Sequence, residues 1–420
     1  MRWHTGRILL AALALVSAAC APGRIIVPDH TELVDGWCAP GFEPVADEFV
    51  RNFQRRGEYG AAVAVYHRGR KVVDLWGGFR DIRTREPWEK GTMVMVFSTT
   101  KGAGALCAAL ARSRGWLDYD APVSRYWPEF AQNGKEHITV RELLAHEAGL
   151  PVLDTKLRTR DLADLDSLGR ILARQRPIWP PGTRHGYHAV TLGLYLNEII
   201  RRTDPQGRSI GRVLQEEICG PLDVEFYIGL PDSVPDERIA RFSFGPPLSI
   251  LLRAPPRRLR AFLSPRSLIS RAGRIPVDTR RAGRAYCRVE VPSVNGVGTA
   301  RALARIYSAA VTLDPALGIT PTTLQLLSAP TQLPPAGPRD TVAGIDAWYS
   351  LGFSKPGDRL WFGSSQRAFG SAGLGGSLAF ADPDHDLAFA YTPNRAYLAA
   401  SVDPRADALI KAVYACLDSL

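Results

Sequence analysis

Met93-Val94-Met95-Val96-Phe97-Ser98-Thr99-Thr100-Lys101-Gly102-Ala103-Gly104-Ala105-Leu106-Cys107-Ala108-Ala109-Leu110-Ala111-Arg112-Ser113-Arg114 is the stretch around which this chain is organised. Its first five residues are strand-like and deliver a serine to the start of a helix. Ala105, Leu106, Ala109 and Leu110 recur at three- and four-residue spacing, strong helix formers dominate, and Gly115 ends the run. In a helix that begins at Ser98, residues three apart share a face, so the Ser98 hydroxyl and the Lys101 amine point into the same space. That is a nucleophile beside a base. An ordinary lysine titrates near pH ~10.4 and is no base at neutrality, but burial and the positive end of the helix dipole both disfavour the ammonium form. Lowering that pKa by about 3 units would correspond to ~4 kcal/mol, which only a well-built site holds. Ser-x-x-Lys arises by chance in many proteins. Here no other lysine has a serine three residues before it, and the neighbours decide the reading.

Upstream, Ala61-Ala62-Val63-Ala64-Val65-Tyr66, a turn at Arg68-Gly69-Arg70, and Val72-Val73-Asp74-Leu75-Trp76 read as a β-hairpin running into Gly77-Gly78. Downstream, a turn-rich stretch leads to Tyr126-Trp127-Pro128-Glu129-Phe130, whose aromatics fit core or cleft wall better than a cofactor box; Trp127 is a candidate to meet substrate. Residues 138 to 150 predict a short helix capped by Thr139 with Glu142 three residues later. His146 reads as structural, at a helix end where an imidazole can bond free carbonyls. Pro180-Pro181-Gly182-Thr183-Arg184-His185-Gly186-Tyr187-His188 breaks the chain's regularity before a helix-like run from Ala189 to Arg202. By position alone Tyr187 is either a proton relay aimed into a cleft or a core or rim tyrosine.

Residues 240 to 285 differ in character, with Phe244-Gly245-Pro246-Pro247-Leu248-Ser249-Ile250-Leu251-Leu252 followed by many arginines and scattered prolines. They read either as a variable solvated insertion or as a flap over the cleft that meets an amphiphilic substrate or a membrane surface. Regular structure returns at Val291 to Ala300, where Thr299 is placed to cap a helix. Phe369-Gly370-Ser371-Ala372-Gly373-Leu374-Gly375-Gly376-Ser377-Leu378-Ala379-Phe380 mixes glycines with strand residues, which marks close backbone approach to a ligand, and Leu387 to Tyr391 reads as the next strand. A C-terminal helix follows, with Asp403 as N-cap and Pro404 at its first position.

The chain has 420 residues, of which 45% are hydrophobic and 22% charged, enough for a large core. The net charge of +10 rests on arginine far more than lysine, which fits either GC-rich codon usage or affinity for anionic envelope surfaces. No stripe of basic and aromatic residues resembles a nucleic-acid module. Residues 1 to about 20 read as an export signal: Arg2 and Arg7, the apolar run Ile8 to Val16, then Ser17-Ala18-Ala19-Cys20. The run is too short to span a bilayer. Cys20 after small residues fits lipoprotein processing, although Ser17 stands where such sites usually carry Leu; ordinary cleavage is the alternative. Of the other cysteines, Cys107 reads as a small buried hydrophobe, while Cys38, Cys219, Cys287 and Cys416 are free to pair in an oxidising compartment in connectivities the sequence does not choose between. No spacing fits zinc, since Leu150 stands where a metalloprotease helix needs a second histidine after His146-Glu147.

Taken together, Asp74-Leu75-Trp76-Gly77-Gly78, Phe97-Ser98-Thr99-Thr100-Lys101-Gly102, Tyr126-Trp127-Pro128-Glu129-Phe130, Leu143-Leu144-Ala145-His146-Glu147-Ala148-Gly149-Leu150, Pro181-Gly182-Thr183 with Tyr187, and Gly375-Gly376-Ser377 resemble the serine β-lactamase and penicillin-binding-protein superfamily. The likeness is to its class C-like esterases and covers roughly residues 36 to 420. It implies an α+β fold: an antiparallel sheet built from both chain ends and flanked by helices, an all-helical region from the middle of the chain, and a cleft between them. It further implies Ser98 as nucleophile, Lys101 as general base, Tyr187 as proton relay, and the Ser98 and Leu374 backbone N–H groups as oxyanion hole. Ser371 and Gly373 fall at the third family motif and are implied to bind substrate. Two departures stand out: Ala189 replaces the asparagine of Tyr-x-Asn, and Ser371-Ala372-Gly373 lacks the Lys or His that opens that third motif. These remove groups that hold a β-lactam's amide and carboxylate. The resemblance therefore implies a serine esterase or lipase acting on a small-molecule ester or lipid through an acyl-enzyme, with no cofactor or metal. A β-lactamase or D-alanyl peptidase, and an inactive envelope binding protein, are the alternatives. No Gly-x-Ser-x-Gly elbow is present, which disfavours an α/β-hydrolase lipase.

Overall fold

The computed structural model describes residues 33–244, 264–274, 284–358, 360–397 and 402–420. The expected export signal at residues 1 to about 20, with Cys20, lies outside these residues, as do two parts of the 240–285 segment.

The main sheet is assembled from the two ends of the described chain. Its N-terminal strands are β1 (Asp35–Cys38), β2 (Gly60–His67), β3 (Arg70–Asp81) and β4 (Glu86–Pro87), and its C-terminal strands are β8 (Tyr349–Ser350), β9 (Phe353–Ser354), β10 (Phe369–Ala372), β11 (Leu378–Asp382) and β12 (Leu387–Pro393). The order is β1-β3-β2-β12-β11-β10-β9-β8, with β4 pairing β3, and every pairing is antiparallel. The two halves join where β2 meets β12, from Leu387 opposite His67 to Pro393 opposite Ala61. The predicted hairpin is β2 and β3, and β3 continues past Gly77-Gly78 to Asp81.

Period-two alternation divides these strands between two cores. Val63 and Val65 of β2, Leu378 and Phe380 of β11, and Leu387, Phe389 and Tyr391 of β12 face one layer, made by α1 (Glu43–Arg55) and the C-terminal helix Pro404–Leu417. The alternate positions Ala64, Ala379, Ala381, Ala388 and Ala390 face the other. Small side chains on that face let the helix Ala300–Val311 come close across β2, β11 and β12, and the helix Thr100–Ser113 packs beside it, against β9 and β10. α2 (Thr100–Ser113) is buried on all sides from Thr100 to Ala111, so it is a central core helix rather than an amphipathic surface one.

The middle of the chain forms the helical region, which includes α3 (Val140–Leu144), α4 (Leu165–Arg174) and α5 (Thr191–Thr203). Thr139 and Glu142 form the predicted capping box on α3. A small sheet ties this region to the nucleophile: β5 (Val94–Met95) pairs with β7 (Val297–Gly298), which pairs with β6 (Phe226–Tyr227). From the 240–285 segment, α6 (Leu268–Ala272) is capped by Ser267 and packs Ala272 with Val152, Trp179 and Val342 beside half-buried Tyr187 and Ala189. Thr299 caps α7 (Ala300–Val311), which lies across β2, β11 and β12. α8 is Pro321–Ser328, and the C-terminal helix, α9, starts at Pro404 on the Asp403 cap.

Cys38, Cys219, Cys287 and Cys416, which the sequence left free to pair, are all free thiols, as is Cys107. All but Cys38 are buried as small apolar side chains, Cys107, Cys219 and Cys287 in one core and Cys416 in the other. No helix among the described residues is long and apolar enough to cross a membrane.

Candidate active site

Ser98 sits in a tight 3₁₀ turn, Phe97–Thr99, which runs directly into α2. The helix proper therefore starts at Thr100 rather than at the serine. Phe97 adopts φ +48°, a left-handed backbone that a bulky residue takes only when its surroundings hold it there. They do so from several sides. Val96 N–H donates to Gly296 O at 2.9 Å, and Val96 O accepts from Thr99 N–H and from the Ser377 hydroxyl at 2.7 Å. The Phe97 ring is buried against Phe242 and Phe244, with centroids 4.7 and 6.2 Å away. The result is a half-buried Ser98 at the mouth of a helix whose next residues are closed to solvent.

Lys101 is one turn on and only 4% exposed. Its Nζ donates to Ala189 O at 2.7 Å and Ser293 O at 3.0 Å, and lies 3.2 Å from Ser98 Oγ. An amine with two N–H groups spent on carbonyls has one direction left, and that direction holds the nucleophile. Among the described residues no carboxylate approaches it, and burial holds its pKa well below the usual lysine range. The Tyr187 ring face, with its centroid 4.8 Å from Nζ, favours the ammonium. That attraction is worth about 0.5–2 kcal/mol and loses to the desolvation of a buried charge, so the net direction is down.

Tyr187 is anchored through its own backbone: its N–H donates to Asp340 Oδ2 at 2.9 Å. The ring stands between His146 (4.9 Å) and Tyr349 (5.9 Å, stacked), and Ser98 is among the groups that act on its hydroxyl. Burial pushes the phenol up to about 12 against the lowering effect of Ser98, with the Asp340 charge adding to the rise. At neutral pH it is a hydroxyl, not a standing phenolate. Behind it, His146 accepts the His188 N–H on Nδ1 at 2.9 Å, and His188 accepts the Leu150 N–H on Nε2 while donating Nδ1–H to Gly186 O. Thus His146 is structural, but its partner is an amide and not the helix-end carbonyls expected of it. Burial keeps both imidazoles neutral, with His188 down to about 3.

Ser371 lies beside the nucleophile. It is buried, and its hydroxyl donates to Ser98 O at 2.8 Å, so it braces the nucleophile's backbone where the resemblance implied contact with substrate. Gly373 donates its N–H to Ser377 O at 2.7 Å, and any Cβ there would collide with Val96 O and Ser377 Oγ. Only glycine lets this turn close on the nucleophile. Leu374 is 46% exposed next to it, and neither its N–H nor that of Ser98 is used in a hydrogen bond among the described residues. Trp127 is elsewhere. It is 1% exposed within the helical region, against Phe130 and Tyr195 and beneath the Arg202 guanidinium, so the expected contact with substrate is corrected to a core role. Sequence reasoning missed Ser293, the Ala189 carbonyl, Asp340 and Tyr349. The first two act through backbone oxygens, which no side-chain pattern reveals. No group of three or more His, Cys, Asp or Glu among the described residues could hold a metal ion.

A buried Ser-x-x-Lys helix set between a sheet made from both chain ends and a helical region defines the class of β-lactamase and penicillin-binding-protein-like serine hydrolases. Residues 46–414 match the family model described as Beta-lactamase, and the chain belongs to that family, on its esterase branch. It is 32% identical over 383 residues to Esterase/beta-lactamase LipL of Mycobacterium tuberculosis, covering 88% of this chain and 84% of that one. Among solved structures, a family VIII carboxylesterase superposes with TM-score 0.79 at 34% identity, over 91% of this chain and 99% of the other. A penicillin-binding-protein homologue from Caulobacter crescentus has TM-score 0.79 at 36% identity, with the same coverage.

Proposed function

We propose that this chain is a serine ester hydrolase in which Ser98, Lys101 and Tyr187 form and break an acyl-enzyme. The observation that carries the reading is the Lys101 amine, buried without a carboxylate and left with one free direction, towards Ser98 Oγ. As Oγ attacks the ester carbonyl carbon, its proton passes to Nζ. Negative charge gathers on the carbonyl oxygen, where the Ser98 and Leu374 N–H groups receive it; one such donor is typically worth about 10²–10³ in rate. The C–O bond to the alcohol then breaks, and the proton on Lys101 returns to the departing oxygen through the Tyr187 hydroxyl. Water repeats the sequence in reverse: it gives its proton to the Tyr187–Lys101 pair, attacks the acyl carbon, and Ser98 leaves with a proton restored.

Hydrolysis of esters is favoured over that of β-lactams because Ala189 offers Lys101 a carbonyl but has no amide side chain for substrate, and Ser371 brings no cation. Apolar residues of the 240–285 segment, Phe242 near Phe97 and α6 near Tyr187, favour an apolar acyl or alcohol group. Export through the amino-terminal segment, with Cys20 as its processing point, belongs to this reading; fractionation of cells carrying wild-type protein and Cys20→Ala tests it. The deciding experiment is hydrolysis of p-nitrophenyl esters from acetate to palmitate by wild type, Ser98→Ala and Lys101→Ala. Turnover lost in both variants is expected. Equal rates in all three would refute the reading, and faster turnover of nitrocefin than of any ester would replace it with a β-lactamase.

A further inference from the structure

The Gly373–Ser377 turn, which carries the Leu374 amide, is held at two points. At its ends, Ser377 Oγ donates to Val96 O and lies 2.9 Å from Thr99 Oγ1, while Gly376 N–H returns to Gly373 O. At its middle, the Gly375 carbonyl accepts from Arg405 Nη2 at 3.3 Å and from Tyr397 N–H at 3.1 Å. Arg405 stands in the first turn of α9 and is 2% exposed. Its guanidinium is fully engaged: Nε and Nη2 on Asp403, Nη1 on Glu58 Oε1 at 2.8 Å, and Nη2 also on Arg395 O at 2.8 Å. Glu58 in turn accepts from the Tyr391 hydroxyl and from Tyr59 N–H.

Capping α9 needs only Asp403, so a buried cation between two buried carboxylates exceeds what the helix requires. Buried ion pairs return little net stability against apolar replacements; what they do supply is a fixed geometry. Here the rigid fork reaches from the sheet and helix on one side to two carbonyls on the other, Arg395 O at 2.8 Å and the turn carbonyl Gly375 O at 3.3 Å, which share Nη2 with Asp403. Gly376, at φ +109°, lies so close to Asp403 that a Cβ would collide with its carboxylate.

We propose that Arg405 is a positioning residue for the reaction, holding the Gly375 carbonyl so that the neighbouring Leu374 N–H faces the oxygen that becomes negative. This rests on the ester-hydrolase reading and goes beyond it. The test uses the whole protein as wild type, Arg405→Lys and Gly376→Ala. Arg405→Lys keeps the charge against Glu58 and Asp403 but loses the fork; Gly376→Ala leaves the Arg405–Glu58 pair in place and pushes the turn away from Asp403. Turnover of p-nitrophenyl butyrate, inhibition by phenylboronic acid and thermal melting are measured on each. The boronic acid forms a tetrahedral adduct with Ser98 whose oxygen occupies the oxyanion position.

In folded variants kcat is expected to fall about tenfold or more with KM within about threefold, below the 10²–10³ of an outright lost donor because the amide is displaced and not removed. The boronate Ki should rise in proportion. Folded variants with kcat within about threefold of wild type, or a loss of kcat with unchanged boronate affinity, would overturn the proposal. Gly376→Ala tests whether displacing the turn slows the reaction; if Arg405→Lys fails to fold, the role is structural and the proposal is wrong. A wild type without Ser98-dependent turnover would overturn the hydrolase reading and this inference with it, whereas an active wild type beside unchanged variants overturns only this one.

Discussion

Lys355→Met is expected to stabilise the protein at pH 7 while leaving ester turnover untouched. Lys355 follows β9, is 1% exposed, and donates to Leu327 O at 2.6 Å and to Arg367 O at 3.4 Å, with no carboxylate partner among the described residues. Burial, and secondarily the Arg367 charge, lower its pKa from 10.5 to about 7. At pH 7 the unfolded chain therefore holds a whole proton on this amine and the native chain about half of one. Over that gap, at about 1.4 kcal/mol per pH unit, holding the amine uncharged costs the fold about 4 kcal/mol. Methionine fills similar volume without that cost but orphans the two carbonyls, a loss of about 1–3 kcal/mol, so a net gain of about 1–3 kcal/mol is expected. The sign with pH follows: the unfolded state binds more protons between about pH 7 and 10.5, so wild-type stability rises with pH across that window and the variant's rises less. Urea denaturation of both proteins at pH 7 and pH 9 checks this. A variant no more stable at pH 7 and with an unchanged pH slope would refute the reasoning. Lys101→Met is the counterpart, since it also removes a buried uncompensated amine. There kcat/KM should fall by about 10²–10⁴, the usual worth of a positioned base.

Because the Lys101 pKa is lowered, kcat/KM of wild type should rise with pH through an acid limb well below the usual lysine range; a limb at ordinary lysine pH, read from a pH–rate profile, would contradict the site. Ser371→Ala removes the hydroxyl bracing Ser98 O and should lower kcat by up to about tenfold without moving the melting temperature by more than a few degrees, as steady-state kinetics and calorimetry would show. His188 is held neutral down to about 3 against an ordinary 6.5. The native state thus binds fewer protons below pH 6.5, and this one group costs about 3 kcal/mol of stability between pH 7 and pH 4.5. That acid loss should shrink in His188→Gln when denaturation midpoints are compared.

What could be read beforehand divides by whether a side chain or a backbone does the work. The Thr139–Glu142 capping box, the β2–β3 hairpin and the C-terminal helix each carry local signals in residue type and spacing and appear where expected, whereas α2 starts two residues after the serine. Ser98 and Lys101 still meet because the 3₁₀ turn that holds Ser98 runs straight into the helix. Trp127 misled because an aromatic next to a turn looks the same whether it faces a cleft or a core, and only the packing of Tyr195 and Arg202 distinguishes the two. That Ser371 turns inward to Ser98 O was not legible, because its strand partner Ala379 is local while Ser98 lies 273 residues away in sequence. Ser293 and Ala189 were invisible because their carbonyls carry no residue signature.

The joining of β2 to β12 has a consequence for how the chain comes to life on the ribosome. Ser98 and its lysine are synthesised in the first quarter of the protein, but the turn that closes on them is made at residues 371–377 and its anchor, Arg405, later still. A nascent chain, or one truncated before α9, would carry the reactive pair with an unfinished sheet and nothing to seat the nucleophile. Such fragments should be inert towards esters, so that hydrolytic power switches on only when the last helix docks on α1 and the molecule is whole.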